Sequence, residues 1–312
     1  MKRFFVRWLE QYLFFPTPIQ RLIGILLLPL TLIYCVVTTY LRVSKKTFDM
    51  GIPVISVGNL LVGGTGKTPV TIALAKDKKE SAVILRGYGR ESKGLFVISN
   101  RGKILEDVTV SGDEAMLLAR SLPNSVVIVS ENRIEGILKA KELECKVVFL
   151  DDGFNKHEIK KYDILIRPQK EPENIFCLPT GGYRDTKMMY SFVPCVLKEG
   201  SDFNRVVTFK KEEEVVETLP KKLLLLTAIS KPQRLLEYLP NDIIMEDYPD
   251  HHNFSKEDIE YIKNKYEGYS IITTAKDMVK LETYDLKDLY LMDLEVKIND
   301  DALKGVEKYI AG

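Results

Sequence analysis

The chain has 312 residues and a formal net charge of +1, so it is long enough for two domains and has no overall charge that indicates nucleic-acid binding. Hydrophobic residues make up 45% and charged residues 29% of the sequence, which is typical of globular rather than disordered proteins. The four cysteines form no CxxC pair, which argues against a zinc site or a disulfide framework and favours a reducing compartment.

The N-terminal segment is strongly apolar. Leu22–Leu41 contains no charged residue and is bounded by Arg21 and Arg42. A helix of about 20 apolar residues can cross a bilayer core, and a buried core helix is the alternative. Basic residues flank both sides and Pro29 lies within the run, so the sequence leaves open whether the segment spans the membrane or dips into it. We expect residues 1–42 to attach the chain to a membrane.

Short apolar strands and helical patterns alternate after this segment. Continuous Val, Ile and Leu runs between helices are typical of a parallel sheet covered on both faces. We therefore predict an α/β fold with ligands at the carboxyl ends of the strands, where each motif below is expected to fall. The predicted strands are Val54–Val57, Ala82–Leu85, Val126–Val129, Val147–Leu150, Leu223–Leu226 and Ile271–Thr273. The predicted helices are Lys67–Ala75, Glu114–Ser121, Glu135–Glu142, Ser255–Lys265 and Ala302–Ile310.

A change in composition suggests the domain organisation. The charge-rich stretch Lys210–Glu217, followed by Pro220, is typical of a linker or an exposed strand. We predict an N-terminal membrane anchor over residues 1–44, a P-loop kinase-like domain with a parallel sheet over 45–209, and a smaller α/β domain over 210–312.

A glycine-rich loop follows the first predicted strand and opens the first helix, which is the context that a P-loop requires. Backbone N–H groups and the helix N-terminus would bind the phosphates of a nucleoside triphosphate, which we take to be ATP. Lys67 would contact the β- and γ-phosphates, and Thr68 would ligate Mg²⁺. Leu61 replaces the first glycine of the usual pattern. The residues assigned to the cofactor are Gly63, Gly64, Thr65, Gly66, Lys67 and Thr68.

Two carboxylates, Asp151 and Asp152, end the apolar strand Val147–Leu150. A buried strand that delivers a carboxylate to Mg²⁺ is the second element of a P-loop site, because Mg²⁺ prefers hard oxygen ligands. The alternative is a solvated acidic turn, which a neighbouring P-loop disfavours.

Asp113 and His251 are ambiguous from local pattern alone. Asp113 precedes a predicted helix and has the composition of an N-cap, while His251 has the surroundings of a loop histidine. A carboxylate and a histidine together can deprotonate a hydroxyl group, but their separation in sequence does not show that they meet.

Taken together, the motifs resemble those of the tetraacyldisaccharide 4'-kinases of lipid A synthesis. The matching segments run in the family order over roughly residues 45–285. They are Ile55–Leu60 through Lys67–Pro69, Arg86–Tyr88, Gly112–Ala115, Leu150–Phe154, Pro249–His251 and Thr273–Asp277.

The resemblance implies that ATP phosphorylates the 4'-hydroxyl of a tetraacylated glucosamine disaccharide 1-phosphate at the cytoplasmic face of the bacterial inner membrane. It implies that Asp113 is the catalytic base and that His251 is its partner from the second domain, so that the two meet only when the domains close. Asp151, Asp152 and Glu114 would join Thr68 at the metal. The expected partners are the lipid substrate and the membrane surface, without nucleic acid or an obligate protein partner.

The chain departs from the family pattern outside the phosphate-binding loop. The usual Gln-His after the second carboxylate motif is replaced by Asn155-Lys156-His157, and a later segment reads Pro179–Thr186 with Arg184 within it. These changes concern contacts to the sugar and to the nucleotide base.

Two nucleotide-dependent switches are the competing hypotheses. A membrane-associated ATPase switch that acts through a protein partner often has a lysine directly before the doubled glycine, where this chain has Val62. A GTP-binding switch needs an Asn-Lys-x-Asp-like motif, but Asn155-Lys156-His157-Glu158 ends in glutamate. Both comparisons favour the kinase.

Overall fold

A computed structural model describes residues 2–64, 66–212 and 214–312. The chain divides into two compact units that interleave along the sequence. The first unit comprises Met1–Lys67, Val147–Phe203 and Ile298–Gly312, and the second comprises Thr68–Lys146 and Asn204–Lys297. The boundaries at residues 44 and 209 that we derived from composition stay a prediction.

The helices and strands alternate as an α/β fold requires. The helices are α1 (Lys2–Phe14), α2 (Pro18–Val43), α3 (Lys67–Ala75), α4 (Val108–Ser111), α5 (Asp113–Ser121), α6 (Arg133–Glu142), α7 (Lys256–Lys265), α8 (Ala275–Leu281) and α9 (Asp300–Ala311). The strands are β1 (Val54–Asn59), β2 (Ser81–Leu85), β3 (Phe96–Asn100), β4 (Lys103–Ile104), β5 (Val126–Val129), β6 (Val147–Asp151), β7 (Tyr162–Arg167), β8 (Cys195–Lys198), β9 (Phe203–Lys211), β10 (Glu214–Val215), β11 (Leu223–Thr227), β12 (Ile244–Asp247), β13 (Ser270–Thr274) and β14 (Leu289–Ile298).

The first unit contains the strand that leads into the glycine-rich loop. Its strands follow the order β6-β1-β7-β8, and each neighbouring pair is parallel. Every residue of β1 and β6 is buried. A strand buried on both faces is mostly apolar, which explains the Val, Ile, Phe and Leu residues that these two strands share.

The N-terminal helices share the core of the first unit. Thr17 caps α2 in a capping box with Gln20, and Pro18 begins the helix, where its missing N–H is tolerated. Tyr12, Leu13 and Phe14 of α1 are buried in one cluster with residues of β7 and of the loop after β1. The N-terminal segment therefore contributes side chains to the core of this unit, and it also carries exposed apolar residues.

One face of α2 is bound to the segment 173–185 of the same unit. The Thr31 hydroxyl donates to Thr180 Oγ1 at 2.7 Å, and the Tyr34 hydroxyl donates to the Arg184 carbonyl at 2.8 Å. Ion pairs join Arg21 to Glu173 and Arg42 to Asp185 near the two ends of the helix. The opposite face is apolar and exposed.

The second unit contains two groups of strands. In the first, β2 and β5 are parallel and β3 and β4 add antiparallel edges, in the order β4-β3-β5-β2. The second is a six-stranded sheet in the order β10-β9-β14-β13-β11-β12. Its strands β14, β13, β11 and the edge strand β12 pair in parallel, and separate apolar clusters cover its faces.

The predicted α/β fold is confirmed, and the helix Lys67–Ala75 and the strand Val126–Val129 have the predicted bounds. The capping signal before α7 is also confirmed, because Ser255 and Asp258 form a capping box. The charged stretch near residue 210 is the half-buried end of β9 together with the exposed edge strand β10.

Candidate active site

The glycine-rich loop connects β1 directly to α3, whose first residue is Lys67. Gly63 and Gly66 have φ angles of 89° and 74°, in the left-handed region that glycine adopts without strain. Gly63 and Gly64 are exposed, as backbone that binds a ligand must be. Thr65, which we assigned to the cofactor, lies outside the described residues.

The Lys67 ammonium group lies among residues of the first unit. Its Nζ is 3.3 Å from Asn59 Oδ1 and 3.6 Å from Asp152 Oδ1. The Arg184 guanidinium donates to both carboxylate oxygens of Asp152, at 3.2 and 3.4 Å, and to the Asn59 carbonyl at 3.0 Å. Two cations therefore share one carboxylate, and the anionic phosphates of a nucleotide could replace it as the partner of Lys67.

Arg184 and Asn59 had no role in our sequence-based assignment. Asn59 lies in a segment that matches the family, and Arg184 is the charged residue retained in the otherwise divergent segment Pro179–Thr186. The retention of a fork-shaped guanidinium, which suits carboxylates and phosphates, was the signal that could have identified it.

Asp151 and Asp152 occupy the end of β6, as predicted. Asp151 is buried with 4% of its surface exposed, whereas Asp152 has φ of 53° and a partly exposed side chain. Among the described residues, no three His, Cys, Asp or Glu side chains converge to hold a metal ion by themselves. Mg²⁺ in phosphotransferases is bound by one or two carboxylates together with phosphate oxygens and water, so an adjacent pair of carboxylates fits it.

The other two residues assigned to the metal belong to the second unit. Thr68 lies in the first turn of α3, and Glu114 lies in the first turn of α5. Their convergence with Asp151 and Asp152 on one ion stays a prediction.

Asp113 is not an N-cap. Gly112 occupies the cap of α5 with φ of 79°, and a Cβ atom there would lie 2.9 Å from the Tyr88 carbonyl oxygen. Because only glycine fits this backbone, Asp113 becomes the first helical residue and its side chain is directed to other partners. Asp113 follows the short helix α4 rather than a strand, so the expectation that every motif falls at a strand end is wrong here.

His251 is the principal partner of Asp113. Its Nδ1 lies 2.9 Å from Oδ1 and 3.2 Å from Oδ2 of Asp113, although the two residues are 138 positions apart. Both belong to the second unit, so the expectation that they meet only when domains close is wrong. His251 has φ of 62°, a conformation that non-glycine residues adopt mainly where the surroundings enforce it.

Two lysines of α8 complete the surroundings of this pair. Lys276 Nζ lies 3.4 Å from His251 Nε2, 3.5 Å from Glu114 Oε1 and 3.9 Å from Asp113 Oδ2. Lys280 Nζ lies 3.4 Å from Asp113 Oδ2. Lys276 lies within the matched segment Thr273–Asp277, and Lys280 follows it. We gave neither lysine a role, because the local sequence does not show which face of a seven-residue helix meets Asp113.

The electrostatics of this cluster favour an ionised carboxylate. Burial by itself raises the pKa of Asp113, but the His251 hydrogen bond and the ammonium groups of Lys276 and Lys280 hold it below its usual value. The hydrogen bond to Asp113 raises the pKa of His251, against burial and Lys276, which lower it. Because a carboxylate only accepts and Lys276 only donates, the geometry favours a histidine with its proton on Nδ1.

The segment after β2 approaches the same cluster. Gly89 has φ of 76°, and a Cβ atom there would lie 3.3 Å from the Cβ of His251. The Arg86 guanidinium lies over the exposed ring of Tyr88 at 5.3 Å. The family-matching segment Arg86–Tyr88 therefore leads into backbone that packs against His251.

His157 has surroundings opposite to those of His251. Burial, with the nearby cations Lys161, Arg42 and Lys45, lowers the pKa of His157 to about 4. Its ring packs edge-on against Phe154 with centroids 6.0 Å apart. This histidine is a neutral base at physiological pH.

Comparison with known proteins identifies the family. The family model described as tetraacyldisaccharide-1-P 4'-kinase matches residues 23–310. The tetraacyldisaccharide 4'-kinase of Aliarcobacter butzleri is 58% identical over 301 residues, or 96% of each chain. That of Helicobacter acinonychis is 41% identical and covers 97% of this chain and 95% of its own.

A solved structure gives the same result for the fold. The crystal structure of LpxK from Aquifex aeolicus in complex with ATP superimposes with a TM-score of 0.73 and 26% identity. The match covers 93% of this chain and 98% of that protein. Because the family model and relatives above 30% identity span nearly the whole sequence, the resemblance of the motifs is confirmed, and the chain belongs to the tetraacyldisaccharide-1-P 4'-kinase family.

Proposed function

We propose that this protein is an ATP-dependent kinase that transfers the γ-phosphoryl group to the 4'-hydroxyl of a tetraacylated glucosamine disaccharide 1-phosphate, a step of lipid A biosynthesis. Family membership supports the substrate class. The observation that carries the chemistry is the half-buried hydrogen bond of 2.9 Å between Asp113 and His251, because an alcohol becomes a good nucleophile only when a base can take its proton.

The phosphates occupy the glycine-rich loop in this proposal. Backbone N–H groups of Gly63, Gly64 and Gly66 bind phosphate oxygens, and Lys67 exchanges Asp152 and Asn59 for the β- and γ-phosphates. The residues that would hold Mg²⁺, together with phosphate oxygens, are Asp151, Asp152, Thr68 and Glu114. The ion would supply neutralisation of the charge that develops in the transition state. Arg184 keeps Asp152 oriented for that role through its two hydrogen bonds.

Asp113 accepts the proton of the 4'-hydroxyl as the oxygen–phosphorus bond forms and the bond to the ADP leaving group breaks. His251 orients the carboxylate through Nδ1, and Lys276, at Nε2, keeps the ring in that tautomer. Phosphoryl transfer has a loose transition state, so most of the acceleration comes from positioning and charge stabilisation, and the base adds to it.

The experiment that tests this function is direct incubation of the purified protein with ATP and the disaccharide lipid. The expected product is heavier by one phosphoryl group, which fragmentation in a mass spectrometer assigns to the distal sugar. Little ATP should be hydrolysed when the lipid is omitted. ATP hydrolysis that responds to membranes or a protein partner, with the lipid unmodified, would instead support the ATPase switch.

We further propose that α2 lies in the plane of the membrane at the cytoplasmic face of the inner membrane, where ATP is available. It is the one helix among the described residues that is long and apolar enough to cross a membrane, with a mean hydropathy of 2.3. Its contacts to Glu173, Thr180 and Asp185 are spread over its length, however, and spanning would draw these polar loops into hydrocarbon. An amphipathic helix in the interface satisfies both faces.

Depth measurements test this orientation. A fluorophore at Leu30, in the middle of α2, should be quenched by lipid-borne nitroxides at the same depth as fluorophores at Ile19 and Val43. A spanning helix would place Leu30 deepest.

Binding to vesicles provides a second test. Leu26 and Leu32 are 80% and 66% exposed, so Leu26→Lys with Leu32→Lys should weaken cosedimentation with vesicles. The matched control is Leu138→Lys with Tyr261→Lys, which changes exposed apolar residues of α6 and α7 and should bind as the unmodified protein does. Equal loss in both variants would contradict the assignment of the α2 surface.

A further inference from the structure

Lys280 is a buried lysine whose ammonium group lies close to three oxygen atoms of the protein. Its side chain is 5% exposed, and lysines are almost never this buried unless they are paired. Nζ lies 3.4 Å from Asp113 Oδ2, 3.1 Å from Asp277 Oδ1 and 3.0 Å from the His252 carbonyl oxygen. The contacts to Asp113 and to the His252 carbonyl are hydrogen bonds, whereas the contact to Asp277 is an ion pair in which Oδ1 accepts no hydrogen bond.

These oxygen atoms come from three separate parts of the second unit. Asp113 begins α5, Asp277 lies in the first turn of α8, and His252 directly follows His251 in the loop after β12. The Lys280 ammonium is therefore bonded to the Asp113 carboxylate and also to the peptide group next to its partner histidine. Displacing this one cation would alter the distance between the two members of the pair.

The loop that presents His251 depends on further contacts made by Asp277. Its Oδ2 accepts hydrogen bonds from the Ala228 amide at 3.0 Å and from the Thr227 hydroxyl at 2.7 Å. The Ala228 carbonyl in turn accepts the His251 amide at 3.1 Å. His251 has positive φ, so its conformation has to be enforced by neighbouring groups such as these.

We propose that Lys280 is a positioning residue, whose buried ammonium group holds the Asp113 carboxylate and the His251 loop in the geometry that lets the two side chains act together. The proposal rests on the proposed function, in which Asp113 takes the proton of the sugar hydroxyl. Lys280 acts through these two groups, because its side chain is 5% exposed and its ammonium group is bound to oxygen atoms of the protein.

Lys276 differs from Lys280 in this respect. Its side chain is 16% exposed and lies near His251 Nε2, Glu114 and Asp250, so its removal would alter several groups on the open side of the cluster. Lys280 offers a cleaner test of positioning, because its effect must pass through Asp113 and the loop. The alternative is that Lys280 only neutralises the charge of the Asp277 carboxylate, which is fully buried.

The first experiment compares Lys280→Met with the unmodified kinase in steady-state kinetics. Methionine keeps the length of the side chain and removes the charge and the donors. We expect kcat to fall about 10- to 100-fold, the cost of slight misplacement of a catalytic group, while the KM values for ATP and lipid change by less than about threefold. A kcat within about twofold of the unmodified kinase would overturn the proposal, and so would a loss confined to KM.

The second experiment places Lys280→Met in an Asp113→Asn background. If Lys280 acts through Asp113, the double variant should be no slower than Asp113→Asn alone. A further loss equal to that of the single Lys280 variant would overturn the proposal. If Asp113→Asn alone keeps full kcat, the base assignment itself fails, and that result is distinguishable from failure of the Lys280 proposal.

A matched control separates positioning from general stability. Arg120→Met removes the ion pair to Glu282, which joins the ends of the same two helices, α5 and α8, away from Asp113. It should leave kcat unchanged whatever it does to the melting temperature. Should Lys280→Met not fold, Asp277→Asn with Lys280→Met removes both buried charges, and the same loss of kcat is expected. Full activity in that folded double variant would overturn the proposal.

Discussion

The phosphate-binding region of the first unit and the Asp113–His251 region of the second unit are built differently. In the former, Lys67 and Arg184 share a partly exposed carboxylate, Asp152, beside exposed glycines. In the latter, Asp113 is 4% exposed and its partners surround it. A highly charged nucleotide can compete for partly exposed cations, whereas a base must be held in place before the substrate arrives. Exchangeable contacts thus suit binding, and buried networks suit proton transfer.

The histidines of the two units show the same contrast. His157 lies among cations in the first unit, with a pKa lowered to about 4 mainly by burial, while His251 beside a carboxylate has a raised pKa. Protonation of the imidazole is thus disfavoured at His157 and favoured at His251. Four predictions sharpen or break this comparison.

Lys67→Ala should have the largest effect, a loss of about 10³-fold or more in turnover, because Lys67 stabilises charge that develops on the transferred phosphoryl group. The measurement is kcat with saturating ATP and lipid. Lys67→Arg should not restore activity, because a planar guanidinium does not replace a point charge on a flexible stem. Turnover like that of the unmodified protein in the alanine variant would refute the phosphate assignment.

Asp113→Ala and His251→Ala should each lower kcat by about 10²-fold or more, the usual contribution of general base catalysis, with little change in ATP binding. Because the two side chains are hydrogen-bonded, the double variant should be little worse than Asp113→Ala alone. Losses that multiply would count against the pair. Loss of ATP affinity in Asp113→Ala would instead move Asp113 to the metal site.

Arg184→Ala should lower kcat/KM for ATP by about 10- to 100-fold, the range expected for the loss of charge-assisted hydrogen bonds. Arg184→Lys should recover only part of this loss, because one ammonium group cannot donate to both oxygens of Asp152 at once. Equal activity of the lysine variant and the unmodified protein would show that charge alone matters at this position.

The smallest effects should appear in the pH dependence of stability, with opposite signs for the two histidines. The folded-state pKa of His157 lies below its usual 6.5, so between pH 6.5 and 4 the unfolded chain binds more protons and the fold loses stability as the pH falls. His157→Gln should reduce that loss. Because the pKa of His251 is raised in the folded state, its protonation stabilises the fold at pH values below the usual histidine pKa. That contribution disappears as the pH rises through the folded-state pKa.

The measurement is the free energy of unfolding in urea for His157→Gln, His251→Gln and the unmodified protein, above and below pH 6.5. His251→Gln should be relatively more destabilised on the acidic side, and His157→Gln relatively less. Shifts of the same sign in both variants would contradict the contrast between the two regions.

Local patterns were sufficient for the elements that are buried on both faces or that bind phosphate. The helix at Lys67 and the strand that ends at Asp151 could be predicted because a buried parallel strand must be apolar and a phosphate loop must be rich in glycine. The short helix α4 could not be predicted, because an element of four residues contains too little periodicity.

The sequence by itself determined the α/β class, the phosphate loop, the carboxylates after β6 and the family, since each depends on residues that are neighbours in the chain. Tertiary structure decided that Gly112 rather than Asp113 caps α5, that His251 meets Asp113 within one unit, and that Lys276 and Lys280 complete the cluster. The physical reason is that these contacts join positions far apart in sequence, and only the packing of helices and loops onto a shared core brings their charges within hydrogen-bonding distance.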